Sequence, residues 1–327
     1  PLPLNLKDPA GRAVVHRLPK DADVVMENMR PGVVERLGVD YETLRALNPG
    51  IIYSTVTAFG SDGPYKERPG FDPLLQAMGG LMALQGFGGP PQYLRIAPTD
   101  YYCAALACQA VLAALFVRER TGHGQRVQTS LLQAVLALQS GSVVNSPGRE
   151  VVLRETPTYR LYQGGAGDWS SLAVGNQSFW TKLCKVIGRE DLARDPRFGS
   201  WLSRRDHADA LMPLLEEAFG SRPAAEWVEI LTASDIPAAL TRTLQQFMLD
   251  PAVQHHQMTV TYDHPELGAL TLMGQPLRFS ETQAPDAGPP PTLGQHTDEV
   301  LRQAGYADHE IADLRRRRVV AGKDWAS

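Results

Sequence analysis

The chain has few cysteines, few aromatic residues and no strong excess of charge of either sign. Cys103, Cys108 and Cys184 are its three cysteines, and their spacing matches no CxxC metal or redox motif. Such a sparse, odd set argues against a disulfide framework and is typical of a protein of the reducing cytoplasm. The formal net charge of −4 provides no basic field for nucleic acid. These features predict a cytoplasmic protein that binds no nucleic acid and has no metal site.

The sequence also indicates no apolar run long enough to cross a membrane. The longest apolar stretch, from Tyr101 to Phe116, is interrupted by Gln109 and followed by charged residues. A span needs about 18 or more apolar residues, so we predict no membrane association. The 327 residues are enough for two domains.

Short apolar strands alternate with helices in the first part of the chain. Strands are predicted at 23–27, 51–56 and 126–129, with helices at 72–84 and 101–120 among others. This alternation indicates βαβ units and a largely parallel sheet. We therefore predict an α/β fold in which a Rossmann-like large domain with a parallel sheet accompanies a smaller α+β domain. The predicted large domain takes residues 1–140 with 285–327, the small domain 150–280, and the linkers 141–149 and 281–284.

Asp100 lies where a glycine-rich segment, residues 79–91, leads towards the long apolar helix. Glycine lets the backbone approach a ligand closely. The positive end of the helix dipole would favour the charged, nucleophilic form of a carboxylate at this place. Aspartate is also a preferred N-cap residue, and a glycine-rich segment is often a surface loop. On these residues alone, a structural and a functional interpretation both stay open.

Several motifs occur in an order that resembles the family III CoA-transferases. This superfamily includes formyl-CoA and carnitine CoA-transferases and α-methylacyl-CoA racemase. The motifs are ENMRPG at 27–32, FGSDGPY at 59–65, RPGFD at 68–72, the glycine-rich segment with Asp100, RTGHGQ at 120–125 and PPTLGQHT at 290–297. Each motif is weak alone, but together they cover nearly the whole chain.

The resemblance implies transfer of CoA from an acyl-CoA thioester to a carboxylic acid, with Asp100 as the nucleophile. An acyl-aspartyl anhydride and then an aspartyl-CoA thioester would divide a difficult exchange into easier steps. CoA and acyl-CoA are substrates in this interpretation, and no permanently bound cofactor is implied. Similar proteins form interlocked homodimers. Because the chain opens at Pro1 on what reads as the middle of a domain, we also expect an amino-terminal segment to be missing.

The resemblance further assigns substrate contacts to residues around Asp100. Met29 departs from the family pattern, in which Phe is common, and Asp72 has the alternative role of an N-cap for the helix that begins at Pro73. Backbone N–H groups of the glycine segments are candidates for stabilising oxyanions. The predicted CoA-binding or substrate-binding residues are Asn28, Met29, Arg36, Asp72, Gly79, Gly80, Gly88 and Gly89, and the further candidates for CoA phosphates are Arg30, Lys66, Arg68 and Arg95.

Phe71 distinguishes between the enzyme classes of this superfamily. The racemases have a His immediately before the acid that matches Asp72, and this His moves a proton at the substrate's α-carbon. Phe71 cannot carry a proton, so the sequence favours CoA transfer. A CoA-thioester racemase or isomerase is the second interpretation. A non-catalytic acyl-CoA-binding subunit is the third.

Overall fold

The structure, a computed structural model, describes residues 1–87, 89–143, 156–283 and 288–321. Over residues 1–143 the elements are α1 (Pro9–Arg17), β1 (Val24–Glu27), α2 (Val33–Leu37), α3 (Tyr41–Leu47), β2 (Ile52–Thr57), α4 (Asp72–Met78), α5 (Leu81–Gly86), α6 (Pro98–Thr121), β3 (Arg126–Ser130) and α7 (Leu131–Leu138).

The later elements follow in the same chain order. They are β4 (Tyr159–Gln163), β5 (Trp169–Ala173), α8 (Gln177–Val186), α9 (Glu190–Arg194), α10 (Trp201–Asp206), α11 (Ala208–Gly220), α12 (Ala224–Ala233), β6 (Ala238–Leu240), α13 (Leu244–Met248), α14 (Pro251–His255), β7 (Thr259–His264), β8 (Gly268–Met273), α15 (Thr297–Gln303) and α16 (Asp308–Arg316). The chain divides into two compact units, Pro1–Val151 with Pro290–Ser327, and Val152–Pro289.

The first unit contains a parallel sheet in the order β1-β2-β3. Val24 pairs with Ile52, and Tyr53 pairs with Arg126. The middle strand β2 is buried along most of its length, as expected for a parallel strand with both faces covered. Because the strands are parallel, the carboxyl ends of β1 and β2 open on the same edge of the sheet, where α/β proteins bind ligands.

The end of the chain packs on its beginning within this first unit. Leu301 of α15 and Leu314 of α16 form a small buried cluster with Val14 of α1. Leu4 and Val320 form an isolated antiparallel bridge beside that cluster. Residues after 290 therefore complete the first unit.

The second unit is built from antiparallel pairs and helices. Strands β4, β5 and β6 form one sheet in that order, and β7 pairs with β8 as a hairpin. Its core contains large aromatic side chains, among them Trp180, Phe198 and Phe219. The predicted α/β class, with a parallel sheet and a further α+β part, is confirmed.

Several predicted boundaries were wrong, for reasons that lie in the backbone. The helix predicted from 72 to 84 is divided into α4 and α5, because Gly80 has a left-handed φ of 82°. Gly32 also has a left-handed φ, of 80°, so α2 begins after it, at Val33, and Pro31 lies outside the helix. Within the glycine-rich segment 79–91, residues Leu81–Gly86 form helix α5. The short strand β6 was missed because three residues give too little periodicity to recognise.

Helix α6 contradicts the expectation that no segment is apolar enough to span a membrane. It has 24 residues, and its most apolar 18-residue window has a mean hydropathy of 1.6. A single Gln109 lowers that average too little. Length and composition alone are weak grounds for a span, and α6 packs against β2, β3, α4 and α7. Its outward side nevertheless leaves large apolar side chains exposed, including Tyr101, Leu112 and Phe116.

Gly79 lets α4 pack closely against α7. A Cβ at this position would lie 2.6 Å from Val135 Cγ1 and 2.8 Å from the Leu75 carbonyl oxygen. Its φ of −79° is open to any residue, so the contact alone excludes a side chain.

Replacing Gly79 by alanine should therefore destabilise the protein. We expect Gly79→Ala to lower the free energy of unfolding by about 1–3 kcal/mol through overpacking. Urea denaturation followed by circular dichroism measures this change. Gly141→Ala is the control, because a Cβ there meets nothing within 4 Å. Equal stability of the two variants would contradict the packing argument.

Candidate active site

A cavity of about 760 Å³ opens where strands β1 and β2 end. Its size is that of a small-molecule site. The strand ends and the loops that follow them provide one part of its wall, and helix α6 provides another. The lining residues are Met26, Glu27, Asn28, Met29, Arg30, Pro31, Val56, Thr57, Ala58, Phe59, Lys66, Arg68, Pro69, Gly70, Phe71, Asp100, Cys103, Ala104, Ala107 and Leu131.

Asp100 lines this cavity from the first turn of α6. Cys103, Ala104 and Ala107 follow it at helical spacing and line the cavity too. Since their side chains are small, they leave space next to the Asp100 carboxyl group. Asp100 is the third residue of α6 and not its N-cap, which is Ala97. The plain N-cap interpretation of Asp100 was therefore wrong.

The surroundings of Asp100 disfavour its charged form. The protein walls remove part of the carboxyl group from water, which raises its pKa, and the negative charge of Asp72 raises the pKa further. This direction is opposite to the one expected from the helix dipole alone. Asp100 is nevertheless exposed towards the cavity, so its carboxyl group is open to a ligand.

Asp72 is buried behind Asp100 and binds the start of α6. Its Oδ2 accepts hydrogen bonds from the backbone N–H groups of Thr99 at 2.8 Å and Asp100 at 3.2 Å. The other oxygen, Oδ1, accepts a hydrogen bond from Gln76 Nε2. Asp72 does not belong to the cavity lining. Its hydrogen bonds cap α6, whereas the sequence indicated a cap for the helix that begins at Pro73.

Cys103 was not predicted as part of the site. Burial raises the pKa of its thiol, and the charge of Asp100 adds to that shift. A signal was present in the sequence, because Cys103 is one helical turn beyond Asp100.

The loop after β1 brings Asn28 and Met29 to the cavity, and their predicted contact with CoA stays a prediction. Glu27 Oε2 accepts a hydrogen bond from Met29 N–H at 2.8 Å, which fixes the turn at the end of the strand. Arg30 lines the cavity from the same loop. Arg36 is exposed on α2, outside the cavity lining.

Two further cations come from the loop after β2. Lys66 and Arg68 line the cavity, whereas Arg95 is exposed and lies outside the lining. The guanidinium of Arg68 stacks over Tyr65 at 4.1 Å, and Tyr65 packs edge-on against Phe59. This stacking restricts the Arg68 side chain before any ligand binds.

The predicted glycines Gly79, Gly80 and Gly89 lie outside the cavity lining. Their N–H groups donate within the chain, to the carbonyls of Leu75, Ala77 and Gly86 respectively. In this structure none of the three N–H groups is available to stabilise an oxyanion. Gly88 lies outside the described residues.

Among the residues that the structure describes, no group of three or more His, Cys, Asp or Glu side chains is arranged to hold a metal ion. The chemical groups at the cavity are the carboxyl groups of Asp100 and Glu27, cations suited to phosphates, and apolar side chains. A sequence model of the family described as CoA-transferase family III matches residues 2–297. The chain belongs to CoA-transferase family III.

Known proteins of this family resemble the chain along almost its whole length. It is 31% identical to the succinyl-CoA–D-citramalate CoA-transferase of Chloroflexus aurantiacus, over 97% of this chain and 81% of that protein. It is also 31% identical to a formyl-CoA:oxalate CoA-transferase of Streptomyces avermitilis, over 97% of this chain and 83% of that protein. The crystal structure of the hypothetical protein Rv3272 of Mycobacterium tuberculosis matches it with a TM-score of 0.80 and 31% identity, over 90% of this chain and 81% of that chain.

The chain is thus a CoA-transferase, and its substrates are an acyl-CoA thioester and a carboxylic acid. This confirms CoA transfer, the first of the three interpretations of the sequence. Phe71 lines the cavity directly before Asp72, at the position that the resemblance links to a racemase His.

The raised pKa of Asp100 makes the stability of the CoA-transferase depend on pH. Below the ordinary carboxyl value of 3.8, Asp100 is protonated in the folded and unfolded states alike. As the pH rises through the higher folded value, the folded state must ionise a disfavoured group, and stability is lost. Asp100→Asn should remove that loss, giving a higher melting temperature than wild type at pH 7.

Thermal unfolding by circular dichroism at pH 7 and near pH 4 measures the difference. The gain from Asp100→Asn should shrink at the lower pH. Asp62→Asn, which changes an exposed carboxyl group outside the lining, serves as the control. A gain that does not depend on pH would contradict the electrostatic explanation.

Proposed function

We propose that Asp100 is the covalent nucleophile of this CoA-transferase. The supporting observation is the position of Asp100. Its carboxyl group lies at the cavity, and the α6 residues that line the cavity beside it have small side chains. A carboxylate oxygen of Asp100 attacks the thioester carbonyl carbon, the C–S bond breaks, and CoA leaves as a thiolate. The product is an acyl-aspartyl anhydride.

The second half of the exchange returns CoA through the same residue. The thiolate attacks the Asp100 carbonyl carbon of the anhydride, which releases the first acid and leaves an aspartyl-CoA thioester. The acceptor carboxylate then attacks this thioester to give a second anhydride and CoA thiolate. Attack of that thiolate on the acceptor's carbonyl carbon gives the new acyl-CoA and restores Asp100.

The charges of the cavity support a separate place for the CoA phosphates. Arg30, Lys66 and Arg68 lie on the loops after β1 and β2. Phosphate groups favour such cations and the ends of parallel strands. We assign the phosphates to these loops, with Asn28 and Met29 beside them, and the thioester to the α6 wall. The predicted contact of Arg36 with CoA remains an alternative to these three cations.

Removing the nucleophile should abolish exchange. Wild-type protein is incubated with succinyl-CoA and ¹³C-labelled succinate, so that label enters the thioester whatever the natural acceptor is. Succinyl-CoA is a donor of the Chloroflexus relative. We expect Asp100→Ala to lower the exchange rate by at least about 10⁴-fold. Mass spectrometry should locate a hydroxylamine-trapped product on wild-type Asp100.

Glu119→Ala, at an exposed position near the other end of α6, is the matched control and should exchange like wild type. A trapped product at another residue, or exchange retained by Asp100→Ala, would exclude Asp100 as the nucleophile. If wild type shows no exchange with succinate, formyl-CoA with labelled formate is the next pair, because formyl-CoA is a donor of the Streptomyces relative.

Arg68 is the cation best prepared to bind a phosphate, because its guanidinium is already held on Tyr65. We expect Arg68→Ala to raise the KM for succinyl-CoA about tenfold, with a smaller effect on kcat. Arg36→Ala tests the alternative contact, and Arg45→Ala on α3 is the control for loss of an exposed cation. A larger KM effect at Arg36 than at Arg68 would reverse the assignment.

We also propose that the protein is an interlocked homodimer of the cytoplasm. The exposed apolar side chains of α6, such as Leu112 and Phe116, support an assembly that covers them. Sedimentation of the purified protein tests the oligomeric state.

A further inference from the structure

We infer that Asp72 and Gln76 form a positioning pair, which fixes the first turn of α6 and thereby orients Asp100 for attack. This inference rests on the proposed role of Asp100 as nucleophile. Neither residue belongs to the cavity lining, and both are buried. They would therefore act through the backbone of α6, without contact to the substrate.

The start of α6 depends on Asp72 for its hydrogen bonds. A helix leaves its first N–H groups without partners inside the helix. The cap residue Ala97 provides no side-chain hydrogen bond, and Pro98 has no N–H group. Thr99 and Asp100 remain, and Asp72 Oδ2 accepts from both of them. Since Thr99 is completely buried, water cannot easily replace Asp72 there.

Gln76 determines how the Asp72 carboxylate is presented. Gln76 Oε1 accepts from Leu94 N–H at 3.1 Å, and Gln76 Nε2 donates to the Leu94 carbonyl at 2.9 Å. These two bonds fix which side of the amide carries the nitrogen. The second hydrogen of Nε2 is directed to Asp72 Oδ1. The pair therefore joins α4, the segment before α6 and the first turn of α6 in one buried network.

The charge of Asp72 adds an electrostatic effect to this positioning. Asp72 repels the ionised form of Asp100 and raises its pKa, after the larger effect of burial. When Asp100 is acylated its charge passes to the departing thiolate, and the repulsion at Asp100 ends. Asp72 thus favours the covalent forms over the resting carboxylate. The other charged or titratable groups at the cavity are Glu27, Arg30, Lys66, Arg68 and Cys103.

The test is the isotope exchange between succinyl-CoA and ¹³C-succinate, measured as a function of pH. We expect Asp72→Asn to lower kcat about 100-fold, because a misplaced first turn misdirects the carboxyl group. The KM for succinyl-CoA should stay near the wild-type value. The acid limb of the kcat profile should move to lower pH, because a like charge next to Asp100 has been removed.

Asp40→Asn is the matched control. Asp40 caps α3 through the Thr43 N–H, so this change makes the same replacement at another aspartate cap in the same unit. It should reduce stability while leaving kcat and the acid limb unchanged. If folded Asp72→Asn has the same kcat and the same acid limb as wild type, the inference is overturned. A change in KM alone would also overturn it, since that would make Asp72 a substrate contact.

A second variant keeps the inference testable if Asp72→Asn fails to fold. In Asp72→Asn with Gln76→Glu, the new amide at position 72 can donate to the new carboxylate at position 76, while its oxygen still caps α6. The Leu94 carbonyl loses the hydrogen bond from Gln76 Nε2 in this variant, so the exchange restores the contact between positions 72 and 76 alone. We expect this double variant to fold. Its kcat should be higher than that of Asp72→Asn or Gln76→Glu, where either of these folds. Its acid limb should stay below that of wild type, because the negative charge no longer contacts α6. If the double variant has the same acid limb as wild type, the electrostatic effect of Asp72 on Asp100 is excluded.

The trapping experiment separates failure of this inference from failure of the proposed function. If wild-type protein gives no trapped product at Asp100, the nucleophile assignment fails and the positioning role fails with it. If wild type is trapped at Asp100 and Asp72→Asn reacts at the same rate with the same pH profile, only the positioning role is wrong.

Discussion

The hydrogen bonds between the Asp72 carboxylate and the first N–H groups of α6 are the contact on which the candidate site depends. They replace a local cap with one from 28 residues earlier in the chain. Leaving the buried N–H group of Thr99 without an acceptor would cost about 1–3 kcal/mol. The same carboxylate lies close enough to Asp100 to disfavour its charge. One residue thus stabilises the helix and disfavours the charged form of Asp100, a combination often found at functional sites.

The parallel sheet decides what else reaches Asp100. Because β1 and β2 end at the same edge, the loops after them meet around one cavity, with Asn28 on one loop and Arg68 on the other. Helix α6 brings a carboxyl group followed by small residues to the same place. A cavity with cations on its loops and an uncluttered carboxyl group suits a substrate with phosphates and a reactive thioester. Under the proposed mechanism, this arrangement would let one α/β framework hold CoA and also react with it.

The apolar character of α6 has two structural uses. Its inner side packs through Cys103, Ala107 and Ala114, which are all buried. Its outer side remains apolar and exposed, so periodicity along this helix is weak and hydropathy alone makes it look like a membrane span. Sequence reasoning missed that similarity because it gave too much weight to Gln109. An exposed apolar face on a helix that packs against a sheet is what an oligomeric interface also requires.

The sequence by itself determined the α/β class and the family, because strand and helix periodicities are local and motifs are read in order. It also identified Asp100 as the candidate nucleophile, and it placed Asn28 and Met29 at a strand end. Tertiary structure decided the rest. The partner of Asp72 depends on how α4 packs against α6, and the division of the 72–84 helix depends on one left-handed glycine. Likewise, only the folded chain shows that Arg68, and not Arg36, lines the cavity, since a solvated cation and a binding cation look the same in sequence.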